Sequence, residues 1–157
     1  MKDHDTKQPD RDDVVSTLNS LVETCKDGAN GFRTAADGVE DASLKRLFSS
    51  YAEQRAQFAA ELERLVTSIG GDPADTGHVA GAVHRGWMNL KAAITGKDDG
   101  AIISECERGE DFAKERYQSA LETTLPADVR AAVERQYMQV KEAHDHVRSL
   151  ERSYSRK

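Results

Sequence analysis

The chain has little that would staple or interrupt it. Its two cysteines, Cys25 and Cys106, are too few and too far apart for a disulfide framework, so the fold must rest on its own core. Three prolines in 157 residues leave long stretches free to run as helix. No run of alternating β-branched residues marks a strand, and no apolar run approaches the ~20 residues of a membrane span. The polar stretch from Met1 to Asp13 lacks the apolar centre of a signal peptide. Basic charge is also short, with 22 Lys and Arg against 28 Asp and Glu and a net charge of −6. That excludes the basic face a nucleic-acid binder or anionic-membrane binder needs. No phosphate-cradling glycine loop, Cys-x-x-Cys or His-Glu-x-x-His occurs. The expected location is therefore the cytoplasm, with no nucleic-acid or membrane partner; a homo-oligomer and a protein partner stay open.

What is present suits amphipathic helices. Hydrophobic residues are 38% and charged residues 32% of the chain, enough for narrow apolar stripes with charged outer faces. A chain of this length buries roughly 68–70% of its unfolded surface and needs no metal to fold. Residues 1–12 alternate charges around Pro9 and read as a disordered polar tail, leaving 13–153 as a single domain. Asp12 or Asp13 is expected to cap a first helix from about Val14 to Asp37, striped by Leu18, Leu21, Val22, Cys25, Ala29, Phe32 and Ala36. The stripe keeps its phase through Gly28 and Gly31, so the helix reads as continuous, with the glycines admitting a close neighbour. Asp41 should cap a second helix that ends before Gly70-Gly71. Val79, Val83, Trp87, Leu90 and Ile94 then form a stripe over about four turns. A third long helix from Asp98 or Asp99 to about Thr123 and a fourth from about Ala127 to Leu150 follow. Short first and last connections imply two helical hairpins, and the middle segment is long enough to traverse the bundle.

Two hairpins joined by a long crossover is the ferritin-like arrangement. Three segments and one dipeptide carry a closer resemblance: Leu18 to Phe32 (LNSLVETCKDGANGF), Gly81 to Lys91 (GAVHRGWMNLK), Glu105 to Tyr117 (ECERGEDFAKERY) and His144-Asp145. Together they resemble a bacterial family, the domain of unknown function 2383, over nearly the whole chain after residue 13. That resemblance implies an all-α, ferritin-like four-helix bundle with an additional crossover helix, and no established reaction.

A carboxylate di-iron site needs one Glu from each of two helices and Glu-x-x-His from each of the other two. Rotating 100° per residue, Glu23 faces away from the first stripe, which offers only Cys25. The second helix turns Gln54 and Arg55 inward, with Glu61 at the edge and no His. The third turns Glu107 and Glu110 inward beside Cys106. The fourth turns Gln136 and His144 inward, and Lys141, not Glu, stands three residues before His144. The di-iron set is therefore incomplete. With the second and third helices parallel, Arg55 and Glu110 fall at similar depth, roughly 18–20 Å from a shared end. Cys25 is level with them and His144 lies within about two turns.

Two readings follow. In the first, Arg55, Gln54, Glu107, Glu110, Gln136 and His144 form a buried polar network that fixes helix register in place of a metal, with no cofactor expected. The protein is then a non-catalytic structural or interaction module, for which the ferritin-like resemblance implies a stress-associated setting. In the second, Glu107, Glu110 and His144 form a reduced site for iron or another divalent cation, in a ferritin-like oxidoreductase or metal-storage protein. Cys25 and Cys106 read as buried free thiols, since a bridge needs Cα atoms within about 7 Å. His84 reads as a packing histidine on the crossover flank, and the crossover around Trp87 is a candidate oligomer contact. Glu61, Glu63, Glu105 and Glu115 read as a solvated outer face.

Overall fold

The computed structural model describes residues 10–73, 87, 89–96 and 98–155. Among them the chain is all-α: α1 (Arg11–Gly38), α2 (Ala42–Ser68), α3 (Leu90–Thr95), α4 (Asp99–Leu121) and α5 (Ala127–Ser155). Aspartates open three of these helices by accepting orphan amide protons. Asp41 accepts from Ser43 and Leu44, and Asp98 from Gly100. α1 begins earlier than the stripe predicts. Asp10, not Asp12 or Asp13, is its cap, bonding the Asp12 amide at 2.9 Å, so residues 11 and 12 are helix rather than tail. Asp12 and Asp13 fall in the first turn, where the helix dipole favours acidic groups. α1 passes unbroken through Gly28 and Gly31. α2 stops where Gly70 takes φ 84°, a conformation open to glycine, and Gly71 donates to the Val66 carbonyl.

The pairs α1–α2 and α4–α5 pack as hairpins, and α1 packs on α4. At one end of the bundle Gly71, just past α2, lies against Val15 of α1. At the other end Asp99 of α4 accepts from the Glu40 and Asp41 amides of the α1–α2 turn, at 2.9 and 3.1 Å. α2 therefore ends at the opposite end of the bundle from the one where α4 begins, and α2 and α4 run parallel.

The expected four-turn crossover helix is not what the described part contains. Val79 and Val83 lie outside the described residues, Trp87 is not helical, and α3 is only 6 residues long. Trp87 seats its indole between α1 and α4. A Cβ at Gly31 of α1 or at Gly109 of α4 would collide with that ring. Just after it, the Asn89 amide donates to Glu105, at 3.3 Å. Glu105 is correspondingly buried, at 5% exposure, and not on the solvated face expected for it.

The apolar core divides along the bundle axis. One cluster joins Leu18, Val22 and Cys25 of α1 to Phe58 and Leu62 of α2, Tyr117 of α4, and Val133 and Val140 of α5. The other joins Phe32, Phe48, Trp87, Ile102, Ile103, Cys106 and Val147. On every long helix the crossing from one cluster to the other falls in the same layer, and polar residues occupy that layer.

Candidate functional site

Arg55 of α2 and Glu110 of α4 meet in the layer between the clusters. Both are buried, Arg55 at 1% exposure and Glu110 at 0%. The guanidinium grips the carboxylate with two parallel bonds, Nη1 to Oε1 at 2.5 Å and Nη2 to Oε2 at 2.7 Å. That fork-to-fork geometry is the strong form of an ion pair. Burial pulls the Arg55 pKa down, but the charge and hydrogen bonds of Glu110 outweigh it and hold the group above its ordinary value. Nε donates to Gln54, and Gln54 donates on to Gln139. The Phe32 ring lies 5.5 Å from the guanidinium carbon, and Phe32 in turn packs edge-on to Trp87 at 5.1 Å. Gly28 makes room for the Arg55 stem, whose Cγ would lie 3.4 Å from an added Cβ.

A second polar chain starts beside this pair and leads outward. Tyr117 donates to Gln136 at 2.6 Å, so the Cys25 thiol, 3.0 Å from the same phenolic oxygen, donates to Tyr117. Gln136 donates to Glu61, which is forked by Arg135. Burial pushes the Cys25 thiol up to about 11 and the Cys106 thiol well above its ordinary value. Both thiols are free, and they belong to different core clusters. Hydrogen bonds from Arg135 hold Glu61 below its ordinary value.

The third group lies on the seam of α4 and α5. His144 of α5 is 1% exposed, with Nε2 at 2.5 Å from Asp111 and Nδ1 at 3.1 Å from Asp145. Glu107 stands next to them, one helical turn before Asp111. Its pKa is raised, first by burial and then by the neighbouring charges of Asp111 and Glu151. Donor atoms of Glu107, Asp111 and His144 all lie within 4.8 Å of one another. The His144 bond holds Asp145 below its ordinary value.

The six residues expected in one network therefore fall into three groups. Arg55, Gln54 and Glu110 share the central layer. Gln136 serves Tyr117 and Glu61. Glu107 and His144 face the α4–α5 seam. The expected metal trio of Glu107, Glu110 and His144 does not form, because Glu110 is spent on Arg55 and Asp111 takes the third place. Trp87 is 5% exposed inside its own bundle; His84 lies outside the described residues. Asp111 went unpredicted, though Glu107 and Asp111 at i, i+4 necessarily share a helix face.

A family described as Domain of unknown function (DUF2383) matches residues 13–123. The chain belongs to this family. The DUF2383 match spans α1 to α4, so Arg55, Glu107, Glu110 and Asp111 lie within it and His144 and Asp145 lie beyond it. No curated protein matches the chain. No helix among the described residues is long and apolar enough to cross a membrane.

Proposed function

We propose that this DUF2383 member is a non-catalytic helical-bundle scaffold, a single-domain structural or interaction module. The observation that carries the reading is the Arg55–Glu110 fork. Bundle metalloproteins build their carboxylate centres from inward-facing side chains of facing helices. Here the one fully buried carboxylate on α4 in that layer already holds a cation, and that cation is a guanidinium, which does not give up its proton. The group neutralises Glu110 permanently and leaves it neither a free ligand nor a proton shuttle. The burial of both thiols points the same way, since a raised thiol pKa withholds the thiolate that redox or nucleophilic chemistry uses. Two free cysteines suit a reducing compartment, and the acidic surface suits a protein partner or a second copy rather than nucleic acid. The ferritin-like resemblance supports a stress-associated setting for the scaffold.

The test is metal analysis of protein purified without chelator, in the natural sequence and in the Arg55→Met/Glu110→Leu double variant. The scaffold reading expects both to fold and to carry the same metal content. Near-stoichiometric metal in the natural protein that disappears in the folded double variant would place a centre on Glu110 and overturn the reading.

A further inference from the structure

The α4–α5 seam differs from the central layer in setting an imidazole, not a guanidinium, against its carboxylates. We infer that Glu107, Asp111 and His144 form a binding site for one divalent transition-metal cation, which clasps α4 to α5, with Asp145 orienting the imidazole. Three observations carry this. The donor atoms already lie within 4.8 Å of one another, and tetrahedral ligands placed about 2.0–2.2 Å from a shared ion stand roughly 3.3–3.6 Å apart, so side-chain movements of about an ångström complete the set. The His144 side chain is only 2% exposed, so its ring is fixed in place before any ion arrives. Its Nδ1 is bonded to Asp145 while Nε2 faces the carboxylates. A carboxylate on the far nitrogen of the ring is the arrangement that orients metal-binding histidines and raises their basicity.

The chemistry of the donors selects the ion. One imidazole nitrogen and two carboxylates, with no thiolate, suit zinc, cobalt, iron(II) or manganese, while calcium and magnesium gain little from the nitrogen. Asp111 is 56% and Asp145 57% exposed at the side chain, so ions reach the site from solvent and water completes the coordination. Asp145 also lines a shallow groove of about 470 Å³ with Arg148 and Arg152. Without an ion, both ring nitrogens face carboxylate oxygens. The ion replaces the direct contact between Nε2 and Asp111, and both groups turn to it as ligands. Arg148, 3.7 Å from Glu107 and half exposed, is the local competitor, and such a pair is weak enough to displace.

Titration calorimetry of the full chain with Zn²⁺, and Mn²⁺ broadening of its NMR signals, test the inference. One saturable Zn²⁺ site is expected, with broadening confined to residues around 107–111 and 144–145. Asp111→Asn, an exposed position that should leave folding intact, weakens Zn²⁺ binding at least about 10-fold. Asp145→Asn, which touches no ion, weakens it by about 10–100-fold. His4→Ala and His84→Ala leave it unchanged. Absence of saturable binding, broadening centred elsewhere, dependence on His4 or His84, or an Asp111→Asn variant that binds like the natural protein would each overturn the inference.

Discussion

Glu110 and Glu107 stand three residues apart on one helix and meet opposite circumstances. Glu110 is sealed in the bundle, gripped by two guanidinium bonds, with Phe32 against its partner and Trp87 edge-on to Phe32. Glu107 lies at the seam, crowded by Asp111 and Glu151 and held only loosely by Arg148. One site sets its carboxylate against a guanidinium fixed for the life of the fold; the other sets its carboxylates beside an imidazole nitrogen that a metal can take. The contrast separates register-setting from binding: a carboxylate that holds the bundle together is unavailable for chemistry, and one that is available contributes little to holding it.

The largest effect should come from breaking the sealed pair. Arg55→Met leaves the Glu110 carboxyl buried without its partner, and should cost about 3–5 kcal/mol. Adding Glu110→Leu should recover most of that loss, because an apolar pair of similar volume needs no compensation. Urea denaturation of the two variants measures both. A single variant as stable as the natural protein would show that water reaches this layer and that the contrast is false.

The thiol beside that layer gives the next effect. The Cys25 pKa is raised from 9.0 to about 11, chiefly by burial. The folded chain therefore holds this proton more tightly than the unfolded chain. The associated stability is fully present below pH 9 and is lost as pH rises towards 11, on the order of 2–3 kcal/mol across the window. Cys25→Ala should flatten this part of the pH–stability curve. A slope that survives in the variant would assign the alkaline loss to other groups, of which Tyr51, raised to about 12, is the first to consider. In native protein at pH 8 a thiol reagent should find both cysteines closed, and find both open in denaturant.

Closure of the sealed pair also depends on the crossover. Gly31→Ala or Gly109→Ala drives a methyl group into the Trp87 ring, and overpacking of this kind costs about 1–3 kcal/mol. Trp87 fluorescence should shift towards that of an exposed indole as the ring is expelled. The same substitution at Gly96, where an added Cβ would meet only carbonyl oxygens at 3.6 Å, should leave the emission unchanged.

The long helices and their hairpins follow from periodicity, capping aspartates and connection lengths, all of which are local and readable in sequence. Arg55 and Glu110 were also legible, because rise per residue fixes their depth and an inward charge requires a partner. Phase was the weak point. On a helix Glu107 and Glu110 are only about 60° apart, and Asp111 is about 40° from Glu107 on its far side. The edge of the buried face passes between Glu107 and Glu110, and the stripe cannot locate that edge until the neighbouring helix is placed. Glu105 fell inside for the same reason: its partner, the Asn89 amide, belongs to the crossover. The seat of Trp87 was out of reach too, since Gly31 and Gly109 form it from two helices distant in sequence.

The smallest effect offers the sharpest comparison. Glu107 has its pKa raised above the ordinary 4.5, so the folded chain binds that proton more tightly than the unfolded chain. Its contribution to stability is favourable in acid and is lost as pH rises through the raised value, which makes the ionised group a small cost at neutral pH. Glu107→Gln removes the cost and should raise stability at pH 7 by less than about 1 kcal/mol, since the seam is partly screened by solvent. The gain should shrink to nothing below pH 4.5, where natural and variant side chains are both neutral. Glu110→Gln, the same chemical change three residues on, should destabilise the protein at pH 7 because it strands Arg55. Zn²⁺ should then invert the sign at Glu107 alone: an ion bound only to the folded natural chain adds stability that rises with its concentration, and the Gln variant, lacking one donor, gains less. If both substitutions moved stability in the same direction, with and without the ion, the two carboxylates would share one environment, and the division between a sealed layer and an open seam would fail.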